Sequence, residues 1–193
     1  MFDAFTIIFF AIFAITILSF FFAFKNHRKI RTIYENQALK RNGTVSQNFG
    51  SPLLTFTYKD CPIIVSTYPG SKHKPRFTKV QATVPNPQGN KIKIYNETIA
   101  SDIGKAFGGQ DIHIGNSEFD DKFMIKSNND LFPTTFLSLS LQEKLLTLRK
   151  HHPTVTLEYN QLIINLPKYL KTEEEYDVLI DAMLLAVDNL KRS

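Results

Sequence analysis

FTIIFFAIFAITILSFFFAF, Phe5 to Phe24, is the stretch from which the rest of the chain is read. It contains no charge, glycine or proline, and it holds eight of the chain's 17 phenylalanines. A helix rises about 1.5 Å per residue, so a run of this length matches the roughly 30 Å hydrocarbon layer of a bilayer. A helix packed in a soluble core shows one apolar stripe and an opposite polar face. Here the only polar residues are Thr6, Thr16 and Ser19, whose hydroxyls can bond back to carbonyls one turn earlier. The run therefore predicts a membrane-spanning helix.

The flanks argue against a cleaved leader and set an orientation. A secretory signal carries positive charge before its apolar run and a small-x-small site after it. Here Met1, Phe2 and Asp3 precede the run, and Lys25 and Asn26 follow it. Beyond it stand Lys25, Arg28, Lys29, Arg31, Lys40 and Arg41, opposed only by Glu35, while the other end offers no Lys or Arg. The positive-inside bias places the C-terminal bulk in the cytoplasm and the short N-terminus outside. The lone Cys61 agrees, since one cysteine builds no internal disulfide. On that side Asn42-Gly43-Thr44 and Asn96-Glu97-Thr98 are chance glycosylation sequons.

The net charge of +5 owes much to the six basic residues beside the span. Anionic headgroups account for them, at about 1 kcal/mol per basic residue near the surface. No nucleic-acid partner is expected. The chain divides into an anchor (1–24), a basic juxtamembrane helix (25–43) and a cytoplasmic α+β domain (44–193), β-rich over 44–97 and mixed over 98–193.

In the juxtamembrane piece, Ile30, Ile33, Tyr34 and Ala38 make one apolar stripe on a basic helix. It can extend the span as a stalk, lie on headgroups or pack on the domain. Asn42-Gly43 suits the left-handed conformation at its end. After it the period drops to two. Leu54, Phe56 and Tyr58, then Ile63 to Val65, then Val80, Ala82 and Val84, then Ile92 and Ile94 read as strands. Turn chemistry separates them, so an antiparallel β-meander is the simplest connection. Lys72, His73, Lys74 and Arg76 form a basic loop between two of these strands, read as a solvated tip or a second contact with anionic lipid or a protein partner.

The stretch from Thr98 to Asp121 holds Gly104-Lys105-Ala106, which fails the Walker pattern because position 99 is Ile and 106 is Ala. A short helix from Ser101 is expected to end at Gly108-Gly109. Asp111, His113, Glu118 and Asp120, with Asp121, are the metal-competent cluster, and Asp111-x-His113 places two ligands on one face if the segment is a strand. Zinc sites want three or four ligands in a tight pattern. No such signature is present, so neither a metal nor another cofactor is assigned.

Phe119-Asp120-Asp121-Lys122-Phe123-Met124-Ile125-Lys126-Ser127 carries two aromatics four apart and a strand-like end. This resembles a family of uncharacterised bacterial membrane-anchored proteins in which a single span precedes a cytoplasmic domain with FD-x-x-F-x-[VI]-x-S. The resemblance covers the anchor and about the last eighty residues. It implies an architecture, a span followed by a short helix, a hairpin and a final helix, and no activity. In physical terms Phe119 and Phe123 are core plugs, and Asp120 braces a turn.

Ser140-Leu141-Gln142-Glu143 reads as a capping box opening a helix that Pro153 ends, with His151-His152 at its terminus. Two alternating runs around Asn160-Gln161 make a hairpin. Thr172 and Glu175 form a second capping box. From Tyr176 through Leu179, Ile180, Met183, Leu184, Val187 and Leu190 runs a helical stripe, with Asp177, Asp181 and Asp188 on its wet side. The expected whole is a membrane-anchored α+β domain, strands first and a helix-hairpin-helix unit last. Its function is read as a single-pass accessory or interaction protein with an unidentified protein partner, in preference to a small tethered enzyme using Asp111, His113, Glu118 and Asp120.

Overall fold

A computed structural model describes residues 4–48, 51–68, 70, 76–96 and 111–192. The first helix, α1 (Ala4–Arg41), runs unbroken for 38 residues, so the apolar run and the basic piece after it are one rod of about 57 Å. In its first half, side chains are described for Phe9 and residues 12–18, fewer than the ~20 residues a span requires. Among the described residues no helix is long and apolar enough to cross a membrane. Thr16 does bond back to the carbonyl of Ile12, at 2.8 Å.

The second half of α1 packs on the domain. Ile33, Tyr34 and Ala38 are buried and Ile30 packs against the same core, so the apolar stripe faces protein. The helix ends where Asn42 turns left-handed, φ 52°, and the Gly43 N–H donates to the Ala38 carbonyl. Gly43 is required for space: a Cβ there would lie 2.7 Å from the Thr55 carbonyl oxygen and 3.0 Å from the Phe56 Cβ. The helix end thus rests directly on the sheet.

Among the described residues eight strands follow: β1 (Thr44–Asn48), β2 (Ser51–Tyr58), β3 (Cys61–Tyr68), β4 (Phe77–Thr83), β5 (Ile92–Asn96), β6 (Phe123–Ser127), β7 (Thr154–Glu158) and β8 (Gln161–Leu166). They form one antiparallel sheet in the order β1-β2-β3-β4-β8-β7-β5-β6. The expected meander is correct for β2 to β4, is preceded by an edge strand β1 that the sequence did not show, and stops before β5. β5 pairs with β6 and β7, because the late β7–β8 hairpin inserts between β4 and β5. One in-register row explains the insertion: Val45, Leu54, Val65, Val80, Ile164, Val155, Ile94 and Ile125 lie side by side across all eight strands. A mostly β-branched row of this kind buries fully only when the hairpin supplies its middle.

The hairpin turns are tight. Lys59 and Asp60, φ 46° and 64°, join β2 to β3 in the left-handed pair that matches strand twist. The β7–β8 turn is Tyr159-Asn160, one residue earlier than the sequence suggested, with Tyr159 at φ 52°.

Among the described residues four further α-helices follow: α2 (Ser117–Asp120), α3 (Phe132–Phe136), α4 (Leu139–Leu148) and α5 (Glu173–Leu190). The Ser140 capping box does not form; Ser138 is the N-cap of α4 and makes no side-chain cap bond. The second box does form, shifted by one donor. Thr172 accepts from the Glu175 N–H, and the Glu175 carboxylate accepts from the Lys171 N–H at 2.8 Å. Phe119 and Phe123 are buried and stacked, 4.7 Å between centroids, as core plugs should be. His151 and His152 point apart: His151 is buried on a 3-10 turn, and His152 is exposed at φ 50°.

Replacing Gly43 by Ala should cost about 1–3 kcal/mol through overpacking against β2. Chemical denaturation checks this, and a variant as stable as the wild type would show that α1 does not bear on the sheet at Thr55.

Candidate functional site

The described residues converge at the root of α1, where it meets β2, β3 and α5. Tyr34 of α1 and Tyr176 of α5 cross edge to face, with centroids 5.3 Å apart. Between them stands Thr67 of β3, its hydroxyl hydrogen-bonded to Tyr34 at 2.7 Å and to Tyr176 at 2.9 Å. Burial pushes both phenols above their ordinary range, so they serve as neutral hydroxyls. Sequence reasoning placed both tyrosines on apolar stripes. It missed Thr67, because an alternating strand gives no sign that a buried threonine is waiting for two hydroxyls.

A second layer is ionic. Gln37, fully buried, donates to Asp177 at 3.0 Å and accepts from Arg41. Lys40 pairs with Glu173 at 2.7 Å and with Asp177 at 3.0 Å; Arg41 pairs with Asp177 at 3.2 Å and Asp181 at 3.6 Å. Burial acts to raise the Asp177 carboxyl, but the hydrogen bonds from Gln37, Lys40 and Arg41 outweigh it and hold the group below its usual value. Asp177 and Asp181, read as the wet side of α5, are instead its clasp on α1. Asp188 likewise takes Tyr58 at 3.1 Å and Lys59 at 2.7 Å.

The expected membrane collar is thereby divided. Lys40 and Arg41 direct their charge to α5, and Arg31 pairs with Glu35 one turn on at 2.9 Å. Arg28 and Lys29 are exposed, and the side chain of Lys25 lies outside the described residues. Lys72, His73 and Lys74 also lie outside them, as does the helix expected from Ser101 to Gly109. Arg76 is described, and its guanidinium sits 5.6 Å from the Tyr169 ring centroid.

Lys29, Ile30 and Ile33 of α1 form one wall of a groove of roughly 670 Å3. Arg76 and the segment 167–171 form the other. That segment is held by three hydrogen bonds. The Thr78 hydroxyl donates to the Lys168 carbonyl at 2.8 Å, the Lys168 N–H to the Leu166 carbonyl at 2.7 Å, and the Lys171 N–H to Glu175. Among the described residues, four cations, Lys29, Arg76, Lys168 and Lys171, line the groove beside the apolar side chains of Ile30, Ile33 and Leu170, and no acid does. Sequence reasoning missed Lys168 and Lys171, since only the docking of α1 brings them opposite Lys29.

The acidic candidates do not assemble. Asp111 accepts from the Ile125 N–H at 2.8 Å, and the Ile112 N–H donates to the Ile125 carbonyl, so this segment covers the outer edge of β6 without becoming a strand. Both Asp120 oxygens accept backbone donors, Ile114 at 3.1 Å and Gly115 at 3.0 Å, bracing the turn where Gly115 adopts φ 85°. His113 is exposed, and Glu118 faces Arg149 at 4.0 Å. Among the described residues no three His, Cys, Asp or Glu side chains are grouped to hold a metal.

The fold and the groove define a single-sheet α+β domain with a basic amphipathic cleft at the root of a long helix. Neither a protein-family model nor a curated protein matches the sequence. Among solved structures, the fold is similar to the crystal structure of the mycobacterial trehalose monomycolate transport factor A, TtfA. The TM-score is 0.58 at 8% identity, over 86% of this chain and 94% of that one. At that identity the likeness concerns the fold alone.

Replacing Asp177 by Asn should destabilise the protein by about 1–2 kcal/mol near neutral pH, as charge-assisted hydrogen bonds at a partly exposed site are weakened. Because the folded carboxyl titrates below its unfolded value near 3.9, its contribution is present above about pH 4 and is lost as pH falls through the lower folded value. Denaturant melts of both proteins should therefore converge in acid. A gap that persists at the acid end would mean that Asp177 acts through packing instead of charge.

Proposed function

We propose that the protein is a single-pass membrane-anchored accessory protein, a subunit of a membrane assembly, with its α+β domain held on the cytoplasmic side. The observation that carries this is the outward aspect of α1. Phe9, Ile12, Phe13, Ile15, Ile17 and Leu18 are each 53–65% exposed, and at about 100° per residue they surround the helix. Water makes so large an uncovered apolar surface costly, whereas lipid solvates it from every side. The uncharged sequence from Phe5 to Phe24 and the basic residues that follow it support the same reading and its orientation. The similarity of fold to a transport factor favours an accessory role in transport at the membrane over catalysis. Asp111 and Asp120 add to that preference, because their oxygens are engaged by backbone N–H groups.

Alkaline carbonate extraction of membranes tests the anchor. The wild-type chain should stay in the pellet, and the double substitution Phe13→Arg, Ile17→Arg should release it, each central arginine costing about 2.5–3.5 kcal/mol of insertion. Protease added to sealed cells should leave the domain intact. Release of the wild type by carbonate, or digestion of its domain from outside, would refute the reading.

A further inference from the structure

The groove at the root of α1 has the composition of an amphiphile site. Its rim is cationic, and among the described residues Lys29, Arg76, Lys168 and Lys171 have no carboxylate within ion-pair distance. This contrasts with Lys40 and Arg41, three turns further along the same helix, which are neutralised by α5. Its floor is apolar, Ile33 and Leu170 being flanked by Ile30 and the Tyr169 ring. Burial raises the Tyr169 phenol despite the nearby Arg76, so the ring adds no negative charge to the cleft. The volume suits a lipid headgroup with the first carbons of its chains.

Position identifies the source of the amphiphile. Lys29 lies five residues beyond Phe24, a rise of about 7.5 Å, and the headgroup layer extends about 5–8 Å beyond the hydrocarbon. We propose that the groove binds one anionic phospholipid of the bilayer. Its phosphate sits among Lys29, Arg76, Lys168 and Lys171, and its first acyl carbons lie against Ile30 and Ile33. This rests on the anchored reading above, since the bilayer places the lipid at the mouth. The 167–171 wall is already fixed by Thr78 and Glu175, so binding orders little that is not ordered beforehand. The bound headgroup adds a bridge between α1 and the entry to α5, fixing the tilt of the domain against the membrane.

The test uses the full chain purified in a neutral detergent, titrated with dioleoylphosphatidylglycerol and read by native mass spectrometry. One lipid per chain should be retained. Dioleoylphosphatidylcholine should bind at least about tenfold more weakly, and glycerol 3-phosphate in excess should not displace the lipid, because it lacks the chains that use the floor. The Lys168→Gln, Lys171→Gln pair changes two exposed side chains and should weaken retention about tenfold or more, with an unchanged thermal melt. Equal retention of both lipids, or unaltered binding by the variant, would overturn the proposal. Displacement by glycerol 3-phosphate would overturn it in favour of a free phosphorylated solute. Carbonate extraction of the membranes from which the chain is purified separates the two readings: a chain that stays in the membrane but retains no lipid sinks the groove alone, and a chain that leaves the membrane sinks the anchor.

Discussion

The molecule depends on one shared hydroxyl. Thr67 of β3 accommodates Tyr34 from one end of the chain and Tyr176 from the other, in a setting too buried for water to substitute. A buried phenol without a partner is costly, so the three groups stabilise one another only when α1, the sheet and α5 are all in place. Around that contact, Gln37, Lys40 and Arg41 meet Asp177, and the clasp fixes how far along α1 the domain sits. The distance from the apolar run to the groove follows from that register.

The sheet supplies the platform. A row of apolar residues crosses all eight strands, and its continuity requires the last hairpin to enter the middle of the sheet. The long β4–β5 connection is secured at that hairpin: Asn86 donates to the Tyr159 carbonyl at 2.7 Å, and the Val84 N–H donates to Asn160 at 2.9 Å. The contacts joining the two ends of the chain are thus distributed along the sheet as well as concentrated at its helical face. Their high sequence separation makes folding of this domain slow relative to a local meander.

Charge is used in two ways on one helix. Where α1 touches α5, the basic side chains are consumed by acids at known distances. Where it borders the groove, they are left facing an apolar floor. The difference is set by neighbours, and the same residue types in the same helix acquire different chemistry from it.

Local pattern was sufficient for much of this. The period-two runs located β2 to β5, β7 and β8; the Thr172 cap and the stripe from Tyr176 located α5; and the spacing of Phe119 and Phe123 marked them as core. These features depend on neighbours in sequence or on a single buried face, and the sequence by itself determined them. Strand order, the pairing of Lys40 and Arg41 with α5, the service of Asp111 and Asp120 as backbone acceptors, and the meeting of Lys29 with Lys168 and Lys171 were decided only by tertiary structure. Each brings together groups distant along the chain or spends a polar side chain on a backbone donor, and neither leaves a period or a spacing behind.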